Sequence, residues 1–383
     1  MAMVGVWIVT SKAQERIGPM FKTVVIVVLV MTVVVFPDTT HAKADMLVPG
    51  PRMSSPRSAH SATLLNNGRI LIAGGMVAEQ KILDSAELYD PETQAFTAAG
   101  PLVTARVSHT ATLLSDGRVL IAGGWGQDVL SSAEIYDPKT ESFAESGPMS
   151  TPRGAFTATL LLDGGVLIAG GYDGQQSIAS AEIYDPTTGK FAPTGSLGTA
   201  RSAHTATLLN DGRVLIVGGS QDDVVFDSSE IYDPATGQFS PAGSMLTNRH
   251  KHAAVRLDDG RVLIIGGSNE QDWRGRYASA EIFDPKTGAF TAAAEMSDER
   301  FKLSDAVVML ENGTVLVAGG SRAIEVYEPS ADQFVVASEE IDTERFFSTA
   351  TALPDGTALI AGGYDGDIRS TDHTWLFVPE TQE

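Results

Sequence analysis

The chain of 383 residues contains no cysteine. Disulfides, thiol nucleophiles, thiolate metal centres and a lipid-modified cysteine anchor are therefore excluded. Basic residues are scarce, 27 Lys and Arg against 48 Asp and Glu, for a net charge of −21. Nucleic-acid and anionic-membrane binding need a basic face, so no nucleic-acid partner is expected. No HExxH motif, phosphate loop or nucleophile–base–acid constellation occurs. Asp365-Gly366-Asp367 and Asp222-Asp223 offer oxygen ligands without the spacing of a calcium loop. No catalytic residue, cofactor or metal site is assigned. Long apolar runs are also few. The longest uncharged one, Thr23 to Phe36, has 14 residues, short for a bilayer span and suited to the hydrophobic part of an export signal.

Lys22 precedes that run, and Ala42-Lys43-Ala44 follows with the small-x-small pattern of a cleavage site. Residues 1–44 are read as a signal peptide cleaved before Asp45. A start at Met20 would give a signal of ordinary length, and an uncleaved anchor is the alternative. The mature chain, 45–383, is expected to be secreted or periplasmic, with no membrane span after cleavage.

What is abundant is glycine, 38 residues, and much of it recurs in one phrase. A short apolar run ends in Gly74-Gly75, Gly123-Gly124, Gly170-Gly171, Gly218-Gly219, Gly266-Gly267, Gly319-Gly320 and Gly362-Gly363. Neighbouring pairs are 49, 47, 48, 48, 53 and 43 residues apart. Such a period marks a repeat architecture in which each unit is a small sheet unable to bury its faces alone. In the second unit Val107–Leu114 is β-rich, Ser115–Arg118 carries turn chemistry, and Val119–Ala122 (VLIA) is wholly apolar. A variable loop, Ala133–Tyr136, an Asp137-Pro138 turn and a strand opened by Phe143 complete it. The Asp-Gly turn predicts a hairpin, and VLIA, lacking alternation, is expected to be buried on both faces. Four antiparallel strands per unit follow.

Four apolar residues, a double glycine and spaced aromatics resemble the Kelch repeat. The aromatic positions are Tyr89, Tyr136, Tyr184, Tyr232, Phe283, Tyr327 and Phe377, then Phe96, Phe143, Phe191, Phe239, Phe290 and Phe334 where the family has tryptophan. The phrase DGRVLIAGG is similar to bacterial exported Kelch proteins and to the propeller of galactose oxidase. The resemblance spans 45–383 and implies an all-β, seven-bladed β-propeller. The copper–radical site of galactose oxidase needs a Tyr–Cys crosslink, which this chain cannot form. The seventh unit lacks a fourth strand, and Met46–Pro51 aligns with Phe96–Pro101. The N-terminal strand of the mature chain is thus expected to close the ring. The chain is expected to be a monomer.

Eleven residues before each turn glycine stands a cation: Arg57, Arg106, Arg153, Arg201, Arg249, Lys302 and Arg345. A glutamate recurs beside it, at Glu87, Glu134, Glu182, Glu230, Glu281 and Glu325. Opposite charges sharing one period predict a repeated buried ion pair that positions blades. Trp375 replaces the seventh glutamate, leaving Arg345 as the expected unpaired member. His60, His109, His204 and His252 follow the cation by three residues and are read as structural, hydrogen-bonded inside each blade.

The loops after the glycine pairs are expected to surround the channel mouth, where variation costs the scaffold little. The fifth, Ser268–Ala278, is longest and carries Trp273, Arg274, Arg276 and Tyr277. Trp125 adds an aromatic in the second loop, and Arg322 lies in the nearly deleted sixth. With Arg345 these form the expected ligand-binding set, since aromatics and arginines suit recognition of a protein or glycan. A non-enzymatic recognition propeller is the favoured reading. A sugar-processing enzyme, such as a mutarotase-like isomerase at the channel mouth, is the alternative. N-terminal sequencing of the exported protein is expected to begin at Asp45; an intact Met20 end refutes cleavage.

Overall fold

Apolar runs with no polar alternation need cover on two sides, and the fold supplies it by packing sheets face to face around an axis. The structure, a computed structural model, describes residues 45–77, 81–269, 275–303 and 305–380. The first blade runs from the axis outward as Ser61–Leu64, Ile70–Ala73, Ala86–Asp90 and Ala95–Ala98. Five further four-stranded antiparallel sheets repeat this order. The seventh takes three strands from the C-terminal end, and Met46–Pro49 supplies the fourth, with Leu47 opposite Phe377 and Val48 opposite Leu376. The expected seven blades and their closure by the N-terminal strand are both observed.

Residue parity on the second strand decides which neighbour each side chain meets. Leu71 and Ala73 of the first blade pack with Val119 and Ile121 of the second. Ile70 and Ile72 turn the other way, toward Leu353, Leu359 and Ala361 of the seventh. Seven such clusters fill the seven interfaces. Each buried aliphatic side chain contributes about 1.5–3 kcal/mol. The recurring aromatics meet across the outer strands, as in Tyr136 and Phe143 with centroids 4.9 Å apart.

The recurring arginine is the node of each blade. Arg106 is fully buried, and its Nη1 donates to the carbonyls of Gly123 (2.9 Å) and Ser132 (3.2 Å). Its Nη2 donates to Ser132 Oγ at 3.2 Å and Glu134 Oε1 at 2.6 Å. Glu134 in turn accepts the N–H groups of Val103 and Thr104. The same cage surrounds Arg57, Arg153, Arg201 and Arg249. These ion pairs lie within a blade, and the arginine carbonyl makes the link between blades. Gly75 N–H donates to Arg106 O at 2.9 Å, and equivalent bonds of 2.7–3.0 Å join every blade to the next. A Cβ on Gly123 would sit 2.7 Å from the Arg153 carbonyl and 2.6 Å from the Phe156 ring, so this close approach requires glycine.

The sixth blade departs from the expected register. Arg300, not Lys302, fills the cage, with Nη1 on Gly319 O and Nη2 on Glu325 Oε1 at 2.7 Å. Two extra residues separate this arginine from its inner strand, which shifts the count from the turn glycine. In the seventh blade Arg345 is paired after all. Its Nη2 reaches both oxygens of Asp342, at 2.9 and 3.0 Å, and Trp375 stands in the glutamate's place 5.9 Å from the guanidinium.

The histidines also bond between blades, not within them as expected. His60 Nε2 lies 3.1 Å from Thr349 Oγ1, and His109 meets Ser61, His204 meets Thr157 and His252 meets Thr205 at 2.8–3.1 Å. Each partner opens the inner strand of the preceding blade. In the third blade Phe156 takes the histidine position, and Thr110 Oγ1 on the second blade is left without a partner.

Two measurements test this scaffold. Leu47→Ala in the closing strand is expected to cost about 2–5 kcal/mol by denaturant unfolding, while exposed Met46→Ala stays near neutral. Burial holds all four histidines neutral, with His109 and His204 lowered to about 3 and His60 and His252 well below their usual value. Because the folded values are depressed, their contribution is complete above about pH 6.5 and is lost as pH falls toward 3. Unfolding at pH 5 should take up about four protons on these histidines, and His204→Phe, copying Phe156, should remove one. An unchanged pH slope of Tm in that variant contradicts the assignment.

Candidate functional site

The face bearing the glycine pairs is built as rings. Two residues after each caged arginine come Ala59, Ser108, Ala155, Ala203, Lys251, Lys302 and, in the seventh blade, Phe347. All seven are left-handed, with φ between 48° and 60°, although none is glycine. Each such residue costs about 1–2 kcal/mol, a cost offset by what the turn achieves. It aims the N–H at the carbonyl of the preceding blade. Six such links are formed, among them Ser108 to Ala59, Lys251 to Ala203 and Lys302 to Lys251. They make a throat of backbone hydrogen bonds around the channel. Four blades place Ala or Ser on it, and three consecutive blades place Lys, Lys and Phe.

Outside the throat, the residue after the arginine pairs with the residue after the glycines. Val107 exchanges two backbone bonds with Trp125, Gly154 with Tyr172, His250 with Ser268 and Phe346 with Tyr364. Around blades six and seven this ring becomes aromatic: Phe301, Phe346 and Tyr364 are buried together, with Phe347 and Met76 against them. Lys302 Nζ donates to Tyr364 Oη at 2.8 Å and lies 4.8 Å from the Phe301 ring. The Arg276 guanidinium lies 4.7 Å from the Phe301 centroid and 5.2 Å from Phe346, with Nη1 3.7 Å from Glu344 Oε2. Two cations thus share one aromatic cluster, an arrangement worth about 0.5–2 kcal/mol per contact.

The expected site residues scatter across this face. Arg276 belongs to the cluster just described. Tyr277 packs under the Arg249 guanidinium at 5.3 Å and serves the scaffold. Trp125 lies against Gly154 and stacks on Tyr172, centroids 5.8 Å apart, two blades or more from the cluster. Arg322 points outward and pairs with exposed Glu340 at 3.3 Å. Arg345 is committed to Asp342. Trp273 and Arg274 lie outside the described residues. Sequence reasoning passed over Lys251, Phe301, Phe346 and Phe347, although each sits one or two places beyond a caged arginine where the other blades carry mostly small residues.

Behind the throat the inner strands line a cavity of about 430 Å³. Its walls are mostly Ala, Ser and Thr, with Lys251 and Phe347 at the throat and Asp305 within. Asp305 faces the lumen and is open to it, yet protein surrounds it on all sides, and this confinement pushes its carboxyl up to about 6.

The profile of the Kelch motif matches residues 56–102, 106–150, 153–198, 201–246 and 249–297, the first five blades. No curated protein matches the sequence. Among solved structures, a fungal alcohol oxidase of the AA5 family, in complex with copper, superposes with a TM-score of 0.71 at 18% identity over 86% of this chain and 76% of its own. At that identity the likeness is one of fold. Seven stacked four-stranded sheets, an apolar run closed by two glycines in each, and a repeat profile matching more than half the chain place this protein in the Kelch family.

Proposed function

We propose that the protein is an exported recognition propeller that binds a protein or glycan at the glycine-pair face of blades five to seven. The observation that carries this is the break in the throat ring: Ala or Ser in four blades, then Lys251, Lys302 and Phe347 in succession, beside Arg276 and the aromatic cluster. A molecule of net charge −21 leaves Lys251, Arg276 and Phe347 part-exposed at one place on its mouth, over the buried Phe301, Phe346 and Tyr364. That chemistry suits a partner presenting carboxylates next to apolar or sugar-ring surface. Export rests on the Thr23–Phe36 run and the Ala42-Lys43-Ala44 pattern.

Copper chemistry of the kind named for the fungal oxidase does not fit these residues. Among the described residues no three His, Asp or Glu side chains gather as ligands, and the five buried histidines, His250 among them, each place Nε2 against a serine or threonine hydroxyl. The alternative, a sugar-processing enzyme at the mouth, draws support from Asp305, whose raised pKa suits a general acid. Against it, Asp305 is the one carboxylate among the described residues lining the cavity, and Arg345 is held by Asp342.

A glycan array, with co-purification from the exported fraction, identifies ligands of the mature chain. Each true ligand should lose at least about tenfold in affinity with Lys251→Glu and with Arg276→Ala, and be unaffected by Leu162→Ala on a distant turn. Ligands held equally by all three variants would move the site elsewhere. Turnover of an array ligand, abolished by Asp305→Asn, would favour the enzyme.

A further inference from the structure

The hairpin turns at the end of each blade away from the glycine pairs repeat almost as strictly as the pairs themselves. Five blades carry Asp-Gly there, at Asp116, Asp163, Asp211, Asp259 and Asp355, and two carry Asn-Gly in the same place, Asn67-Gly68 and Asn312-Gly313. Both asparagines are exposed. An Asn-Gly pair is chemically labile, because glycine has no Cβ to keep its nitrogen from the side-chain carbonyl carbon before it. The nitrogen attacks as its anion, so charges around it set the rate.

The two pairs stand in different surroundings. One restraint is common to them: the glycine N–H donates to a leucine carbonyl, Gly68 to Leu65 at 2.9 Å and Gly313 to Leu310 at 3.0 Å. Asn312 is held further, since its Oδ1 accepts both the N–H (3.1 Å) and the hydroxyl (2.7 Å) of Thr314. A Cβ on Gly313 would lie 3.1 Å from Asp258 Oδ2, which places a carboxylate of the fifth blade beside the nitrogen that must become negative. Asn67 Oδ1 accepts the Arg69 N–H at a longer 3.2 Å. Around a Cβ on Gly68 no atom beyond the chain neighbours comes within 4 Å.

We propose that Asn67 deamidates spontaneously in the folded protein, and that Thr314 and Asp258 protect Asn312, whose sequence is equally labile. The Gly68 nitrogen gives its proton to hydroxide and attacks Asn67 Cγ. The bond from Cγ to Nδ2 breaks, and that nitrogen takes a proton from water and leaves as ammonia. Water then opens the five-membered imide at either carbonyl, giving aspartate or isoaspartate. Nothing is oxidised or reduced. The fold accommodates the aspartate, because five other blades carry it. In blades two, four and five it holds the arginine two places on, at 2.7–2.8 Å, whereas Arg69 reaches over to Glu141 of the second blade at 2.8 Å. Deamidation thus supplies Arg69 with the local partner its counterparts have. This chemistry needs no ligand at the glycine-pair face and stands apart from it.

The test incubates the mature chain, folded and separately unfolded in urea, at pH 8 and 37 °C. Mass spectrometry of the tryptic peptides 58–69 and 303–322 reads the one-dalton gain, and fragmentation places it on Asn67 and not on Asn66. In the folded chain Asn67 should react about fivefold or more faster than Asn312, the effect of one charge about 4 Å away in water. In urea the two should react at similar rates. Asp258→Asn should raise the folded rate at Asn312 by about threefold or more. Asn67→Gln should remove the gain from its peptide, with circular dichroism unchanged in both variants. An Asn67 that stays intact in the folded chain while the same site in urea is fully converted overturns the proposal. So does an Asn312 that reacts as fast as Asn67 when folded, or a ratio between them that urea leaves unchanged.

Discussion

The propeller depends on one residue per blade, an arginine whose two ends do different work. In blades one to five its guanidinium grips its own blade, on the glycine carbonyl, the serine and the glutamate; Arg300 keeps the glycine carbonyl and the glutamate, and Arg345 holds Asp342 instead. In all seven its carbonyl accepts the N–H of the glycine in the blade before. Burying a guanidinium is tolerable when most of its donors are met, and the planar fork meets several at once through Nη1 and Nη2 where an ammonium could not, although Nε is left without a partner in Arg57, Arg106, Arg153, Arg249, Arg300 and Arg345. The double glycine exists to let this node approach. Side chain and main chain are thereby coupled: a blade that loses its inner geometry also loses its neighbour.

Much of this was legible because it repeats. The glycine spacing gave seven blades, the apolar four-residue runs gave burial on two faces, and Met46–Pro51 matched the missing outer strand. The sixth blade misled because counting eleven residues back from a turn glycine assumes no insertion, and the count fell on Lys302 instead of Arg300. The Asp342 partner of Arg345 lay three residues away, hidden by attention to the glutamate column. The histidine partners lie one full period back on the chain, and a linear reading has no means of saying whether a ring nitrogen turns inward or across. Candidate ligand residues were harder still. Arginine and aromatic side chains on a loop do not reveal whether they face a partner or, like Tyr277 under Arg249, their own scaffold.

The breaks in the pattern are concentrated. Blades one to four keep small residues on the throat, and blades five to seven carry Lys251, Lys302, Phe347 and the buried aromatics. The insertion before the sixth inner strand sits between them and sends Asp305 into the channel. The scaffold tolerates these departures because the arginine carbonyl still receives its glycine N–H in both blades. Variation is confined to what the hydrogen-bonded rings leave over.

Closure by the first strand gives the molecule a topology its covalent chain lacks. Glu380 N–H reaches Asp45 Oδ1 at 2.7 Å, so the two ends of the folded unit touch. The folded chain is in effect a circle with a nick, and the nick happens to fall inside a sheet. A short linker across it would let the chain be reopened at any exposed Asp-Gly turn, yielding circular permutants in which the seventh blade is made from one continuous stretch of sequence. The Asp-Gly turns of blades two to five are thereby four equivalent starting points in a ring of like units.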